Sequence, residues 1–252
     1  MSRAPALVIL LHGVGSRGAD MAGLQPLLAA ALPGAAFAAP DAPEPFSGGG
    51  TGRQWFSVAG ISDESRPTRV ARGRAGFDAT LREIIDRHGL AADLDRVALV
   101  GFSQGAIMAL DAVATERWPV AGVVAFSGRL AGPAPLDLTA GACAAEGPQP
   151  PAQDRVTGQG AGDNMCRTSG GTAPLAPVLL IHGASDPVIP ASETLQARAR
   201  LAALGHPAHK IILPELGHAI DARGLSEASD FLREVLLDAQ LPPLVNTRTP
   251  AL

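Results

Sequence analysis

Strand-length apolar runs recur along this chain at Ala6–Leu11, Ala35–Ala39, Arg96–Val100, Val120–Phe126, Pro177–Ile181 and His209–Leu213. Helix-like segments separate most of them, at Met21–Leu32, Gly76–His88, Gln104–Arg117 and Ser192–Leu204, and a further one, Ser226–Ala239, follows the last run. A helix between two strands carries the chain back across a sheet, so the next strand pairs in parallel. The runs are apolar almost without interruption, as burial on both faces of a sheet requires. The pattern therefore predicts an α/β fold, a doubly wound and mostly parallel sheet with helices on both sides. With 252 residues, 46% of them hydrophobic, the chain has core enough for one such domain over 1–252.

Two stretches break the rhythm. Residues 40–74, rich in Gly, Pro and Ser around Ser47–Gly52, are too long for an ordinary connection, and Trp55-Phe56 inside them points to a functional loop. Residues 130–174 carry Cys143, Cys166, Pro148, Pro150 and Pro151, and read as an inserted cap or mobile lid. The tail, about 241–252, reads as extended on the surface.

The chemistry is concentrated at Gly101-Phe102-Ser103-Gln104-Gly105, between the run Val97–Val100 and the helix-like stretch from Ala106. A strand that turns sharply into a helix at G-x-S-x-G strains the serine backbone, and side chains two residues to either side would collide. Its hydroxyl then stands at a helix N-terminus, where unpaired N–H groups favour developing negative charge. A hydroxyl needs a base, and the base needs a group that orients it. Asp186 follows the run that ends at His182-Gly183, and His218 follows the last run. The chain order Ser103, Asp186, His218, each on a loop after a strand, is that of the α/β-hydrolases.

Other residues compete for these roles. Glu215 and Asp221 lie near His218 and offer alternative carboxylates. His12 and His182 each end an apolar run and read as structural hydrogen-bonding residues, whereas His206 and His209 flank a short connection and read as exposed. Acyl transfer also needs two preorganised N–H donors for the oxyanion, and the backbone of Gln104 and of Val14, after the first run, is placed to supply them. The same loop spells Gly13-x-Gly15-x-x-Gly18 with Asp41 beyond it, a dinucleotide-binding pattern. That reading places His12 between strand and first glycine, surrounds Asp41 with prolines, and leaves Ser103, Asp186 and His218 without a role.

A net charge of −4 without a basic cluster indicates neither a nucleic-acid partner nor an anionic membrane surface, so no nucleic acid and no stable membrane insertion are expected. No apolar run approaches the roughly 20 residues that span a bilayer. The N-terminal apolar run lacks a small-residue cleavage site and reads as a core strand, which predicts a cytoplasmic protein. The two cysteines, with no C-x-x-C and no nearby histidine cluster, predict no metal site, and either two free thiols or one disulfide.

The blocks Leu11–Gly15, Gln54-Trp55-Phe56, Gly101–Gly105, Phe126-Ser127-Gly128, His182-Gly183-x-x-Asp186-Pro187-Val188-x-Pro190 and Gly217-His218 stand in the order of a known group. The chain resembles the phospholipase/carboxylesterase family of small α/β-hydrolases, which includes acyl-protein thioesterases. The resemblance implies a serine hydrolase without cofactor, acting on small-molecule or lipid-like acyl esters or thioesters through an acyl-enzyme. It carries the nucleophile to Ser103, the base to His218, the orienting carboxylate to Asp186, the oxyanion donors to Val14 and Gln104, and an acyl-pocket wall to Trp55 and Phe56. Two departures stand out: Ala106 replaces a glycine common after the elbow, and compact members have no counterpart to 130–174. A lysophospholipase or acyl-protein thioesterase specialist, a serine peptidase and a catalytically silent binding module are the alternatives.

Overall fold

The computed structural model describes residues 5–132 and 175–237. Six parallel strands form one sheet: β1 (Leu7–Leu11), β2 (Ala36–Ala38), β5 (Val97–Phe102), β6 (Gly122–Phe126), β7 (Val178–Gly183) and β8 (Ala208–Leu213). They lie in the order β2-β1-β5-β6-β7-β8. A separate antiparallel ribbon pairs β3 (Glu44–Pro45) with β4 (Arg53–Gln54).

Alternation along the strands sorts side chains into two cores. Leu7, Ile9, Leu11, Val97, Leu99, Val123 and Leu180 point to one face and pack with α3 (Arg66–Arg87), α4 (Gln104–Ala114) and α5 (Ser192–Ala203). Val8, Leu10, Ala98, Val100, Val124 and Ile181 point to the other, under α1 (Gly18–Met21), α2 (Gln25–Ala31) and α6 (Ala222–Leu236). β1 lies between β2 and β5, so consecutive crossovers leave it in opposite directions. That reversal opens a crevice at the carboxyl ends of the strands, the usual ligand position in open α/β sheets.

α3 and α6 begin earlier than their sequence suggests. α3 starts at Arg66, ten residues before the predicted start at Gly76, with Pro67 in its first turn. Gly73 reads as a loop residue and Gly76 as the first residue of the helix, yet both lie well inside it. A Cβ on Gly73 would stand 2.6 Å from the Trp55 carbonyl oxygen, and one on Gly76 2.8 Å from Pro43. These glycines permit close packing of the helix on the preceding segment, and that outweighs their poor helix propensity. α6 starts at Ala222, where the Asp221 carboxylate caps it by accepting from the Gly224 N–H at 2.7 Å.

Nearly all of α4 is buried, including Asp111, whose carboxylate takes Arg74 from α3 at 2.8 Å and Arg117 at 2.9 Å. Asp78 of α3 accepts from the Trp118 indole N–H at 2.7 Å and from Arg117. This network ties the helix that begins at Ser103 to its neighbour. The expected cap or lid, except its first residues, the expected extended tail and both cysteines lie outside the described residues. Among the described residues, no helix is long and apolar enough to cross a membrane.

Candidate active site

Ser103 stands between β5 and α4 at φ 52° and ψ −113°, a conformation that L-residues avoid. The flanking glycines make this turn passable. A Cβ on Gly101 would lie 2.5 Å from the Ala106 nitrogen, and one on Gly105 2.2 Å from the Leu11 carbonyl oxygen. The Ser103 N–H donates to the Phe126 carbonyl at 2.9 Å, which pins the elbow to β6.

His218 arrives on the loop after β8. Its Nε2 lies 3.0 Å from Ser103 Oγ, and its Nδ1 lies 2.7 Å from Asp186 Oδ2. The Phe102 ring packs beside the imidazole with centroids 4.9 Å apart. Gly183 lets this loop approach β7, since a Cβ there would meet the Leu216 and Gly217 carbonyl oxygens at 2.2 and 2.4 Å. Asp186 is therefore the partner of His218. The other two carboxylates are disposed differently: Asp221 caps α6, and Glu215 is exposed at a positive φ.

The Asp186 side chain is fully buried. Burial alone would push its carboxyl pKa up. The hydrogen bond with His218 and the Ile189 and Val188 N–H groups, which donate to Oδ1 at 2.9 and 2.8 Å, more than offset this and hold it below the usual value. A buried carboxylate with all its acceptor positions engaged orients an imidazole well.

Val14 lines the same cavity as Ser103, Gln104 follows Ser103 in the chain, and the N–H groups of both donate to no backbone acceptor among the described residues. The segment from Ala42 to Phe56 holds both in place. Gly15 N–H donates to the Arg53 carbonyl at 2.8 Å, Arg53 N–H to the Ser16 carbonyl at 2.9 Å, and the Trp55 indole N–H to the His12 carbonyl at 2.9 Å. The Trp55 backbone N–H donates to Gln104 Oε1, and Gln104 Nε2 donates to the Phe56 carbonyl, both at 2.7 Å.

Trp55 and Phe56 do not line the cavity beside Ser103. Both are buried in the core, Trp55 edge-on to Phe77, because the indole N–H and the backbone of these residues are committed to fixing the two loops. Nor does sequence reasoning find a role for the Gln104 side chain. Nothing in the local sequence around Gln104 marks its ties to Phe56 and Trp55, 48 and 49 residues away. The cavity itself has a volume of about 520 Å³ and is lined by Gly13, Val14, Met21, Leu24, Phe102, Ser103, Val188, His218 and Ile220, with Ser16 and Asp20 as polar wall. Val14 and Val188 are exposed on it. None of Met21, Leu24 and Ile220 carries a local motif that marks a pocket.

His12 is held within the fold by hydrogen bonds at both ring nitrogens. His12 donates from Nδ1 to the Gly13 carbonyl at 2.7 Å and accepts the Ala42 N–H at Nε2 at 2.9 Å. Burial, only partly offset by the Gly13 hydrogen bond, lowers its pKa below the ordinary 6.5. His209 is exposed, but His206 is buried, correcting the expectation, because its ring reaches inward to the Ala176 carbonyl at 2.9 Å. Asp41 receives the Arg17 guanidinium and the Gly18 N–H, both at 2.8 Å, so its carboxylate ties the loop after β1 to the end of β2. Among the described residues, no group of three or more His, Cys, Asp or Glu is arranged to hold a metal ion.

A parallel sheet with a serine on a strained strand-to-helix turn, an imidazole beside it and a buried carboxylate behind defines the α/β-hydrolase class. The profile of the Phospholipase/Carboxylesterase family matches residues 1–147 and 167–236, and the chain belongs to that family of hydrolases. The unmatched residues 148–166 lie within the 130–174 stretch. Esterase YpfH of Escherichia coli (strain K12) is 33% identical over 230 residues, covering 91% of this chain and 83% of that protein. Acyl-protein thioesterase 1 of Neurospora crassa is 26% identical over 247 residues, covering 94% and 89%. Among solved structures, esterase PE8 superposes with a TM-score of 0.69 at 30% identity, covering 92% of this chain and 94% of that one.

Proposed function

We propose that this protein is a serine carboxylesterase that forms an acyl-enzyme on Ser103. The observation that carries the reading is the unbroken hydrogen-bonded line from Ser103 Oγ through His218 to Asp186, with steps of 3.0 and 2.7 Å. His218 Nε2 takes the hydroxyl proton as Oγ attacks the acyl carbonyl. The oxyanion forms between the Val14 and Gln104 N–H groups, the second of which is also at the positive end of α4. Losing one such donor typically raises the barrier by about 2.7–4 kcal/mol.

The tetrahedral adduct collapses as His218 returns the proton to the leaving oxygen. Water then enters, gives its proton to the same nitrogen and attacks the acyl carbon; the bond from that carbon to Ser103 Oγ breaks, His218 returns the proton to Oγ, and the carboxylic acid leaves. Asp186 remains ionised throughout and stabilises the imidazolium. The apolar wall of the cavity, Met21, Leu24 and Ile220, suits the acyl group. The same steps act on a thioester, and the similarity to an acyl-protein thioesterase makes that the second substrate class to assay.

A fluorophosphonate should label the wild-type protein on Ser103, and Ser103→Ala should abolish labelling with its thermal transition retained. Labelling that survives this substitution would overturn the assignment. Hydrolysis of oxygen esters and thioesters from two to sixteen carbons then identifies the preferred acyl length and leaving group.

A further inference from the structure

Asp186 Oδ2 has a second neighbour besides His218. Nε2 of His182, the penultimate residue of β7, lies 3.2 Å from it and 2.7 Å from the Ile189 carbonyl oxygen. Both of these are acceptors, so this nitrogen carries a proton. The other ring nitrogen, Nδ1, lies 2.7 Å from Thr194 Oγ1 in the first turn of α5. The His182 and Asp186 side chains are both fully buried, and Thr194 is also buried. No solvent competes for these bonds, and each ring nitrogen faces a partner suited to one tautomer.

We propose that His182 is a positioning residue for the catalytic carboxylate, held in register by Thr194. The line Thr194–His182–Asp186–His218–Ser103 then runs from α5 through the end of β7 to the nucleophile. Three donors fix the carboxylate besides His218: the Val188 and Ile189 N–H groups on Oδ1 and the His182 N–H on Oδ2. The His182 contact orients the oxygen that faces His218 and draws off part of its negative charge. By binding the Ile189 carbonyl as well, His182 closes the 186–189 turn on itself. The titratable groups facing this ring are Asp186 on its own loop and, through that carboxylate, His218; α5 contributes only the neutral Thr194. The inference rests on the reading of Ser103, His218 and Asp186 as the catalytic set.

The test compares His182→Leu, His182→Gln and Thr194→Val by kcat, KM and the pH profile of kcat/KM on a short-chain ester, with fluorophosphonate labelling in parallel. In His182→Leu, Asp186 keeps its Oδ1 donors but turns more freely, so kcat falls by up to about 10²-fold, as a displacement near 1 Å produces, and KM is kept. The carboxylate no longer shares its charge, so it favours the protonated form of the imidazole, and the acid limb moves to higher pH. His182→Gln supplies an amide N–H at similar reach and restores the limb and most of kcat. Thr194→Val moves the limb the same way by less, and decides the question if His182→Leu does not fold.

Wild-type kcat and an unmoved limb in His182→Leu, or an unmoved limb in Thr194→Val, overturn the inference, as does a Gln variant no better than Leu. A limb that moves to lower pH also overturns it, since that marks mere displacement of Asp186. Wild-type protein that labels on Ser103 while these variants match it condemns the inference alone. Wild-type protein that neither labels nor turns over condemns the catalytic reading itself.

Discussion

Replacing Gln104 by leucine removes a side chain that touches no reacting atom in the proposed mechanism, yet it should unsettle both oxyanion donors. In the folded protein the carboxamide accepts the Trp55 N–H and donates to the Phe56 carbonyl, each at 2.7 Å. Gln104 and Trp55 are buried to 2% and 0% exposure, so water cannot replace either bond. Leucine fills similar volume but leaves one backbone donor and one acceptor unpaired in the core. Each such orphan costs about 1–3 kcal/mol, or about 2–6 kcal/mol for the pair. Against a total stability of about 5–15 kcal/mol this is a large fraction, and about 2 kcal/mol alone lowers Tm by about 4–8 °C for a chain of this size.

Gln104→Glu sharpens the test. It keeps the acceptor for Trp55 but sets a second carboxylate oxygen against the Phe56 carbonyl. Protonation turns that oxygen into a donor, so the loss of stability should shrink as pH falls. Urea denaturation at neutral and mildly acidic pH measures both variants, and ester hydrolysis measured below the transition reports how far the loops have moved. A Gln104→Leu protein within about 0.5 kcal/mol of wild type, or a Gln104→Glu deficit that ignores pH, would refute the clamp.

Gly105→Ala places a Cβ 2.2 Å from the Leu11 carbonyl oxygen, a backbone atom with no room to retreat. Denaturation should show a loss of about 1–3 kcal/mol from overpacking, and the rate of fluorophosphonate labelling should fall as α4 is pushed away from the loop after β1; unchanged labelling would contradict this geometry. Asp111→Asn breaks a buried carboxylate that holds two arginines. Because Arg74 is 36% exposed, the expected loss lies near the low end of the 3–5 kcal/mol range for broken buried pairs, about 3 kcal/mol by urea denaturation. The buried His12 resists protonation relative to the unfolded chain. The unfolded state therefore binds the extra proton first, and stability is full above the ordinary value of 6.5 and declines as pH falls below it. Tm measured from about pH 8 to pH 5 should drop on the acid side, and His12→Gln should be less stable at pH 8 but flatter across the range.

The sheet was legible because its strands are buried on both faces, and such strands are written as continuous apolar runs with crossover helices between them. All six predicted runs become strands, displaced by at most two residues at either end. The meeting of Ser103, Asp186 and His218 was legible for a related reason. In a parallel sheet every loop after a strand emerges on the same rim, so chain order alone brings the three side chains to one place. What decided the start of α3 was packing, since Gly73 looks like a loop residue and Gly76 like a helix start until Trp55 and Pro43 are seen pressed against them. Trp55 and Phe56 are ambiguous in the sequence for the opposite reason: large aromatics in a long loop suit a pocket wall as well as a buried clamp, and only the packing shows them in the core.

By itself, then, the order of apolar runs, glycines and three chemically distinct side chains determined the architecture, the strained elbow and the rim at which the reactive groups gather. Tertiary structure alone decided which carboxylate His218 takes, why Gln104 and Trp55 are bound to each other, and that His182 and Thr194 stand behind Asp186. Those partners stand 4 to 49 residues apart, and whether they meet depends on how separate elements pack. Local periodicity records which face of an element is buried; it carries no record of what the opposing element presents to that face.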